Sequence, residues 1–251
     1  MRRSDGKWFL TRVKRTIYAN DMVADGDRIA LGLSGGKDSA ALLFIMTLFQ
    51  KHTPVNIALQ PVYVDLGWQA DPGPLRQLCS KMGLELHVEK TAIARVVFER
   101  RKEKNPCALC ANMRRGALHQ AAIELGCNKV ALGHHLDDAV ETFFMNLIYT
   151  GQLGTFKPVT YLDRADLHLI RPLILLPEAT LAAIVKREKL PLIENPCPVS
   201  GHTARAEMKK LVGKMQSQYP DFLEKWRAAL INSPFWNTNE DSPGAGQEHL
   251  F

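Results

Sequence analysis

A run of small, polar and charged residues at positions 34–39, SGGKDS, has the composition best suited to chemistry. Its glycines let the backbone approach a ligand closely, so that successive N–H groups can point at an anion. Lys37 adds a positive charge, and the hydroxyl groups of Ser34 and Ser39 add hydrogen-bond donors. The stretch is therefore predicted to hold the phosphates of a nucleotide.

The flanking sequence predicts the elements that position this loop. Residues 28–33 alternate apolar and small side chains, which is typical of a buried strand, whereas residues 40–49 are apolar and favour a helix. A helix that begins at the loop directs its positive dipole end toward bound phosphate. The spacing matches neither a Walker A loop nor the G-x-G-x-x-G dinucleotide loop. An ordinary glycine-rich turn is the alternative.

A second turn of this kind occupies residues 133–138, GHHLDD, after another short predicted strand. Gly133 permits close approach, and Asp137 and Asp138 lie at the start of a predicted helix. Together with Asp38, these carboxylates are candidates for holding Mg²⁺ against phosphate or for steering a proton. The alternative is that they cap the helix.

Three of the five cysteines form another candidate site. Cys107 and Cys110 make a C-x-x-C turn ahead of a predicted helix, and Cys197 lies far along the chain. Three thiolates suit an Fe–S cluster that keeps one iron open. The same residues could instead bind zinc with His202 as a fourth ligand, or act as a redox pair.

The remaining cysteines, Cys79 and Cys127, fall within apolar helical patterns and are predicted to be small core residues. The odd number of cysteines argues against a disulfide framework. His134 and His135 are also predicted to be hydrogen-bonded residues of the core.

Alternating strand and helix patterns predict an α/β fold, with a mostly parallel five-stranded sheet covered by helices on both faces. The strands are predicted at residues 28–33, 55–65, 84–89, 129–132 and 167–170. Ligands of such sheets bind at the carboxyl ends of the strands. Residues 34–39, Asp65 and the turn at 133–138 all fall at those ends.

The chain divides by composition into three predicted regions: a basic N-terminal helix (1–27), a main domain (28–231) and a flexible tail (232–251). The net charge of +6 over 251 residues, with basic runs near the N-terminus and before Cys107, favours a polynucleotide partner. No apolar run approaches the ~20 residues of a membrane-spanning helix. The N-terminus also lacks the sustained apolar segment of a secretory signal, so a cytoplasmic location is expected.

Five segments in this order resemble the tRNA 2-thiocytidine synthetase family: SGGKDS, PCALC, GHHLDDAVETFFMNLIYTG, IRPL and ENPCPVSGHTARAEMK. The similarity covers about residues 8–215, and the first segment resembles the PP-loop of N-type ATP pyrophosphatases. The resemblance implies an adenine nucleotide α-hydrolase-like fold and a tRNA thiolase that carries an oxygen-sensitive 4Fe–4S cluster. It also implies that Arg114 lies near the cluster.

The resemblance assigns the cluster to Cys107, Cys110 and Cys197. The residues expected to bind ATP and Mg²⁺ are Ser34, Gly35, Gly36, Lys37, Asp38, Ser39, Asp65 and Gly133. The residues expected to act in catalysis are Asp38, Asp137, Asp138 and the three cluster cysteines.

The hypothesis that follows is a two-stage reaction on an anticodon-loop cytidine of tRNA. The C2 oxygen attacks the α-phosphorus of ATP and releases pyrophosphate, and a sulfide held on the open iron then attacks C2 and expels AMP. The expected partners are tRNA, ATP and a sulfur donor such as a cysteine desulfurase, with a homodimer as an open alternative to a monomer. The rival functions are a ligase of the lysidine-synthetase type with a structural zinc site, and a non-catalytic tRNA- or nucleotide-binding protein.

Overall fold

Six strands form one sheet in the part of the chain that the computed structural model describes, residues 6–68, 70–101, 106–193, 197, 204–233 and 236. The strands are β1 (Arg28–Leu33), β2 (Ala58–Asp65), β3 (His87–Lys90), β4 (Lys129–Ala131), β5 (Val159–Leu162) and β6 (Leu167–Ile170). The sheet order is β3-β2-β1-β4-β6-β5. Neighbouring strands are parallel except β5, which pairs antiparallel to β6.

Helices connect most of the strands. The α-helices are α1 (Thr11–Ala19), α2 (Lys37–His52), α3 (Gly73–Lys81), α4 (Pro106–Glu124), α5 (Leu136–Thr150), α6 (Glu178–Glu188), α7 (Ala204–Gln218) and α8 (Phe222–Asn232). Two shorter π-helical segments span Gly6–Leu10 and Arg95–Arg101.

The strand count predicted from the sequence, five, is wrong by one because β5 was missed. This strand has only four residues, and none of them is fully buried. Such a short edge strand shows too little alternation to be recognised, and its pairing with β6 defines it instead. The predicted α/β class and mostly parallel sheet are confirmed.

Both faces of the sheet are covered, as the strand sequences require. Along β1, Ile29 and Leu31 lie in the larger core cluster, which also includes residues of α1, α2, α3 and α6. Ala30, between them, points to the opposite face and lies in a second cluster with residues of α4. This alternation places α2 on one face of the sheet and α4 on the other.

The N-terminal helix packs on the larger core cluster. Phe9, Val13 and Ile17 are fully buried there, whereas Arg12 and Arg15 are exposed. A basic N-terminal helix was predicted within residues 1–27, and α1 lies in that range. The proposed division into three regions remains a prediction, and nearly all of the tail predicted at 232–251 lies outside the described residues. Among the helices that the structure describes, none is long and apolar enough to cross a membrane.

Candidate active site

The loop at 34–39 connects β1 to α2 and is closed by its own serines. Ser39 Oγ donates to the carbonyl of Gly36 at 2.9 Å and accepts from the backbone N–H of Ser34 at 3.1 Å. Gly35 has a φ of +82°, a conformation that side chains other than glycine strain to adopt. Since α2 begins at Lys37, the N–H groups of its first turn face the concave side of the loop. This is the geometry of an anion site.

Lys37 is held by two carboxylates. Its Nζ lies 2.9 Å from Asp38 Oδ2 and 2.7 Å from Oε1 of Glu178, the first residue of α6. Burial opposes the charge of Lys37, but hydrogen bonds to Glu178 and Asp38 outweigh this effect and raise its pKa. Glu178 also accepts from Lys209 Nζ on α7 at 2.6 Å. Although burial opposes its ionisation, the two lysines lower the pKa of Glu178 to about 2.

The turn at 133–138 lies directly against the phosphate loop. A Cβ at Gly133 would stand 2.9 Å from the carbonyl oxygen of Asp38 and 3.3 Å from the backbone nitrogen of Ser39. The close approach predicted for Gly133 is therefore an approach to the backbone of the phosphate loop. The turn at 133–138 and the loop at 34–39 were both predicted to follow the carboxyl ends of strands. The structure shows that they lie together.

Both carboxylates of the second turn are engaged with helix termini. Asp138 and His135 form a reciprocal capping box at the start of α5, in which Asp138 Oδ2 accepts from the His135 N–H at 3.0 Å. Asp137 Oδ2 accepts at 2.7 Å from the backbone N–H of Glu178, at the start of α6. Asp138 also pairs with Arg205 of α7 at 3.1 Å. The structure thus shows these residues as helix caps, and their metal-binding role stays a prediction.

The two histidines of this turn are hydrogen-bonded, as predicted. His135 is buried and caps α5, while His134 stacks on Phe156 and accepts from Nε of the buried Arg171 at 3.2 Å. Burial and the positive charge of Arg171 hold the pKa of His134 well below its usual range. His134 is therefore neutral, with its proton on Nε2 because Nδ1 accepts a hydrogen bond.

Asp65 lies at the carboxyl end of β2, as predicted, but its side chain serves its own loop. Its Oδ1 accepts from the backbone N–H of Gly67 at 2.9 Å. Its backbone carbonyl accepts from the N–H and the hydroxyl of Thr91 at 3.0 and 2.8 Å. These contacts shape the connection after β2, and the nucleotide-binding role of Asp65 remains a prediction.

Cys107 and Cys110 lie in the first turn of α4, on the opposite face of the sheet from α2. Burial raises the pKa of both thiols, and the charge of Cys197 raises each further, whereas Arg114 opposes the rise at Cys110. Cys197 is thus close enough to both to interact electrostatically. Within the described ranges, no group of three or more His, Cys, Asp and Glu side chains stands at metal-binding distances. The ligand assignment stays a prediction.

The other cysteine expectations can be compared with the structure directly. Cys79 and Cys127 are buried core residues, as predicted. His202, the fourth ligand of the alternative zinc site, lies outside the described residues.

Comparison with known proteins places this arrangement in a family. Residues 9–215 match the family model described as PP-loop domain. A tRNA-cytidine(32) 2-sulfurtransferase of Sorangium cellulosum is 39% identical over 223 residues, which covers 87% of this chain and 78% of the relative. A protein of the same name from Pelobacter propionicus is 34% identical over 215 residues, which covers 84% of this chain and 80% of the relative. The chain belongs to the PP-loop family and, within it, to the tRNA-cytidine(32) 2-sulfurtransferases.

A solved structure confirms the fold of this PP-loop protein. The U34-tRNA thiolase NcsA from Methanococcus maripaludis, determined with its [4Fe-4S] cluster, superposes with a TM-score of 0.71. The match covers 90% of this chain and 80% of that chain at 22% sequence identity. The predicted fold and family are confirmed. The prediction of an ATP-dependent tRNA sulfurtransferase is confirmed at the level of the family.

Sequence reasoning missed the residues that the PP-loop protein brings to this site from its C-terminal third. Glu178 begins α6, and Arg205 and Lys209 lie one helical turn apart on α7. A glutamate at a helix start and basic residues on a charged helix are common in proteins of any function. Their residue types alone therefore do not predict a functional site. The sequence holds two hints: the spacing of Arg205 and Lys209 places both on one face of α7, and both lie in the segment ENPCPVSGHTARAEMK, which resembles the thiolase family.

Proposed function

We propose that this chain replaces the C2 oxygen of cytidine 32 in tRNA with sulfur, at the expense of ATP. The observation that carries the proposal is the connection between the phosphate loop and the cysteine segment. The backbone N–H of Ile193, four residues before Cys197, donates to the carbonyl of Gly35 at 2.9 Å. This contact ties the proposed ATP loop to the segment that leads to Cys197, which supports a coupling of the two sites, and relatives at 34–39% identity bear the name of this activity.

In the first stage, the loop at 34–39 holds ATP while the C2 oxygen of the base attacks the α-phosphorus. The bond from that phosphorus to the bridging oxygen breaks, and pyrophosphate leaves. Lys37 and the N–H groups of the first turn of α2 stabilise the negative charge that builds on the phosphates. The C2 oxygen now carries AMP and can depart from carbon.

Mg²⁺ fits the acidic residues beside the loop. Asp38 and Asp138 supply carboxylate oxygens, the ligands that Mg²⁺ prefers, and Asp138 is tied to Arg205 in the free protein. We propose that they bind Mg²⁺ together with ATP. Asp137 accepts a hydrogen bond at the start of α6, and its catalytic role stays a proposal.

The three cysteines fit an iron–sulfur cluster by their chemistry. All three donors are sulfur, and Cys107 and Cys110 have pKa values raised by burial and by Cys197, so that a cation is needed to hold them as thiolates. When bound, a 4Fe–4S cluster with one iron free of protein ligands supplies the sulfur that takes the place of the oxygen. Arg114 lies beside Cys110 and places positive charge next to the thiolates.

The remaining proposals concern partners and location. Exposed arginines in the segment Arg95–Arg101 precede the cysteine turn and suit contact with the phosphates of tRNA. We propose that a separate protein such as a cysteine desulfurase delivers the sulfur, and that the enzyme acts in the cytoplasm as a monomer or a homodimer.

The test is anaerobic purification of the full chain with counts of iron and sulfide and an assay of 2-thiocytidine in tRNA. Replacing Cys107, Cys110 or Cys197 with Ala should abolish both bound iron and thiolation. The buried Cys79 and Cys127, each replaced with Ala, serve as controls that keep the iron. Thiolation by a metal-free or zinc-loaded enzyme would refute the cluster, and iron without any thiolation of tRNA would refute the activity.

A further inference from the structure

Two lysines from distant parts of the chain converge on one carboxylate oxygen beside the phosphate loop. Lys37 Nζ lies 2.7 Å from Oε1 of Glu178, and Lys209 Nζ lies 2.6 Å from the same oxygen. The two ammonium groups are therefore no farther apart than the sum of these distances. Like charges at this separation repel each other, so the pair requires an anion between them.

Glu178 is anchored through its backbone and can withdraw its side chain. Its N–H donates to Asp137 Oδ2 at 2.7 Å, and Asp137 Oδ1 accepts from Gln216 Nε2 at 3.1 Å. Its carboxylate, in contrast, is held by lysines alone among the contacts of the described residues, and 20% of the side chain is exposed. The Lys209 side chain is 56% exposed and can turn with an incoming ligand.

The helix that carries Lys209 presents a second cation to the same edge of the sheet. Arg205, one turn earlier on α7, pairs with Asp138 at 3.1 Å and donates to Thr142 Oγ1 at 3.3 Å. The face of α7 that packs on α5 therefore directs both Arg205 and Lys209 toward the phosphate loop. Each of the two cations is paired with a carboxylate that borders the phosphate loop, Arg205 with Asp138 and Lys209 with Glu178.

We propose that Lys209 is a second phosphate-binding cation of the ATP site, and that Glu178 occupies the space between Lys209 and Lys37 until the triphosphate displaces it. The inference rests on the proposed function, in which residues 34–39 bind ATP. Pyrophosphate carries more negative charge than one carboxylate and has oxygens on both phosphorus atoms, so it can accept from both lysines at once. Lys209 thereby stabilises the leaving group of the first stage.

The experiment titrates the purified full chain with inorganic pyrophosphate and with AMP, each in the presence of Mg²⁺, by calorimetry. Lys209→Met should weaken pyrophosphate binding about tenfold, as expected for the loss of one charge-assisted hydrogen bond, and should leave AMP binding unchanged. Lys210→Met removes the same charge from an exposed neighbouring position on α7 and should affect neither ligand. Glu178→Gln removes the competing anion and should bind pyrophosphate at least as tightly as the wild type.

Four results would overturn the inference. These are full retention of pyrophosphate binding by Lys209→Met, equal losses for Lys209→Met and Lys210→Met, a parallel loss of AMP binding in Lys209→Met, and weaker pyrophosphate binding by Glu178→Gln. Weaker binding by Glu178→Gln would mean that Glu178 positions Lys37 to bind phosphate and does not compete with it. If the wild type binds neither ATP nor pyrophosphate, the assignment of the phosphate loop fails as well. If the wild type binds pyrophosphate and Lys209→Met binds it equally well, only the role of Lys209 is refuted, and the assignment of the phosphate loop stands.

Discussion

At the scale of single residues, Gly133 decides whether the two turns of the site can touch. The atoms that a Cβ would meet there belong to the backbone of Asp38 and Ser39. Backbone atoms cannot swing aside as the end of a flexible side chain can. The absence of a side chain at this one position therefore sets the distance between the phosphate loop and the carboxylates of the second turn.

Gly133→Ala is expected to lower the free energy of unfolding by about 1–3 kcal/mol, the usual cost of an extra methyl group in a filled site. Because the start of α2 must shift to admit it, affinity for ATP should fall as well. Urea denaturation and calorimetric titration with ATP measure the two effects.

Gly213→Ala is the matched control for this substitution. A Cβ at Gly213, within α7, meets no atom within 4 Å, so alanine there should stabilise the helix by about 0.5–1 kcal/mol. Unchanged stability and unchanged ATP affinity in Gly133→Ala would contradict the tight contact.

The residues of the site differ in how far the sequence could predict them. The loop at 34–39 is contiguous, so glycines, a lysine and serines at a strand–helix junction identify it without knowledge of the fold. Glu178 and Lys209 reach the same loop only because α6 and α7 pack near it. Their partners depend on tertiary packing, which no local pattern records.

At the scale of elements, a buried ion pair fixes β4 beside β1. Asp27, just before β1, lies 2.8 Å from Lys129 Nζ at the start of β4, and both residues are buried. Asp27 also accepts from the N–H of Ala24 at 2.6 Å and from Asn128 Nδ2 at 2.8 Å. This set of hydrogen bonds lies at the amino edge of the sheet, opposite the candidate site.

Asp27→Asn is expected to destabilise the protein by about 3–5 kcal/mol, because it leaves the buried charge of Lys129 without its partner. Urea denaturation at pH 7 measures the loss. Asp221→Asn, at an exposed position without a capping hydrogen bond, should stay within about 0.5 kcal/mol of the wild type.

The same pair predicts a pH dependence. Burial raises the pKa of Asp27, but hydrogen bonds from Ala24, Lys129 and Asn128 outweigh burial and hold the pKa below its usual value of 3.8. A lowered carboxyl pKa means that the unfolded chain binds more protons, so the contribution is present above pH 3.8 and is lost as the pH falls further. The stability gap between wild type and Asp27→Asn should narrow below that pH. A constant gap from pH 7 to pH 3 would contradict the assignment.

Most elements were predictable because their patterns are local. The buried runs predicted β1, β4 and β6 to within a residue. The basic run before Cys107 contains the π-helical segment Arg95–Arg101, which the sequence does not distinguish from an ordinary α-helix. Sequence periodicity does not separate these two geometries over seven residues, since both place side chains around a helical axis.

At the scale of the whole molecule, the segment that carries Cys197 is fastened to the ATP site on both sides. Before it, Ile193 donates to the carbonyl of Gly35 and its Cβ lies 2.8 Å from where a Cβ of Gly35 would stand. After it, α7 reaches Asp138 through Arg205 and Glu178 through Lys209. We therefore expect a change in the phosphate loop to affect Cys197.

Gly35→Ala tests this connection through a readout other than nucleotide binding. The new Cβ combines a positive φ of +82° with a collision against Ile193, so it should displace the segment before Cys197 and lower the iron bound per chain, together with ATP affinity. Gly83→Ala carries nearly the same backbone strain, at φ +76°, but meets no atom within 4 Å. It should cost about 1 kcal/mol of stability and keep its iron. Iron is counted on both variants after anaerobic purification. A loss in Gly35→Ala alone would come from the collision with Ile193, since both variants carry the backbone strain. Full iron in Gly35→Ala would show that the cysteine segment does not depend on the loop.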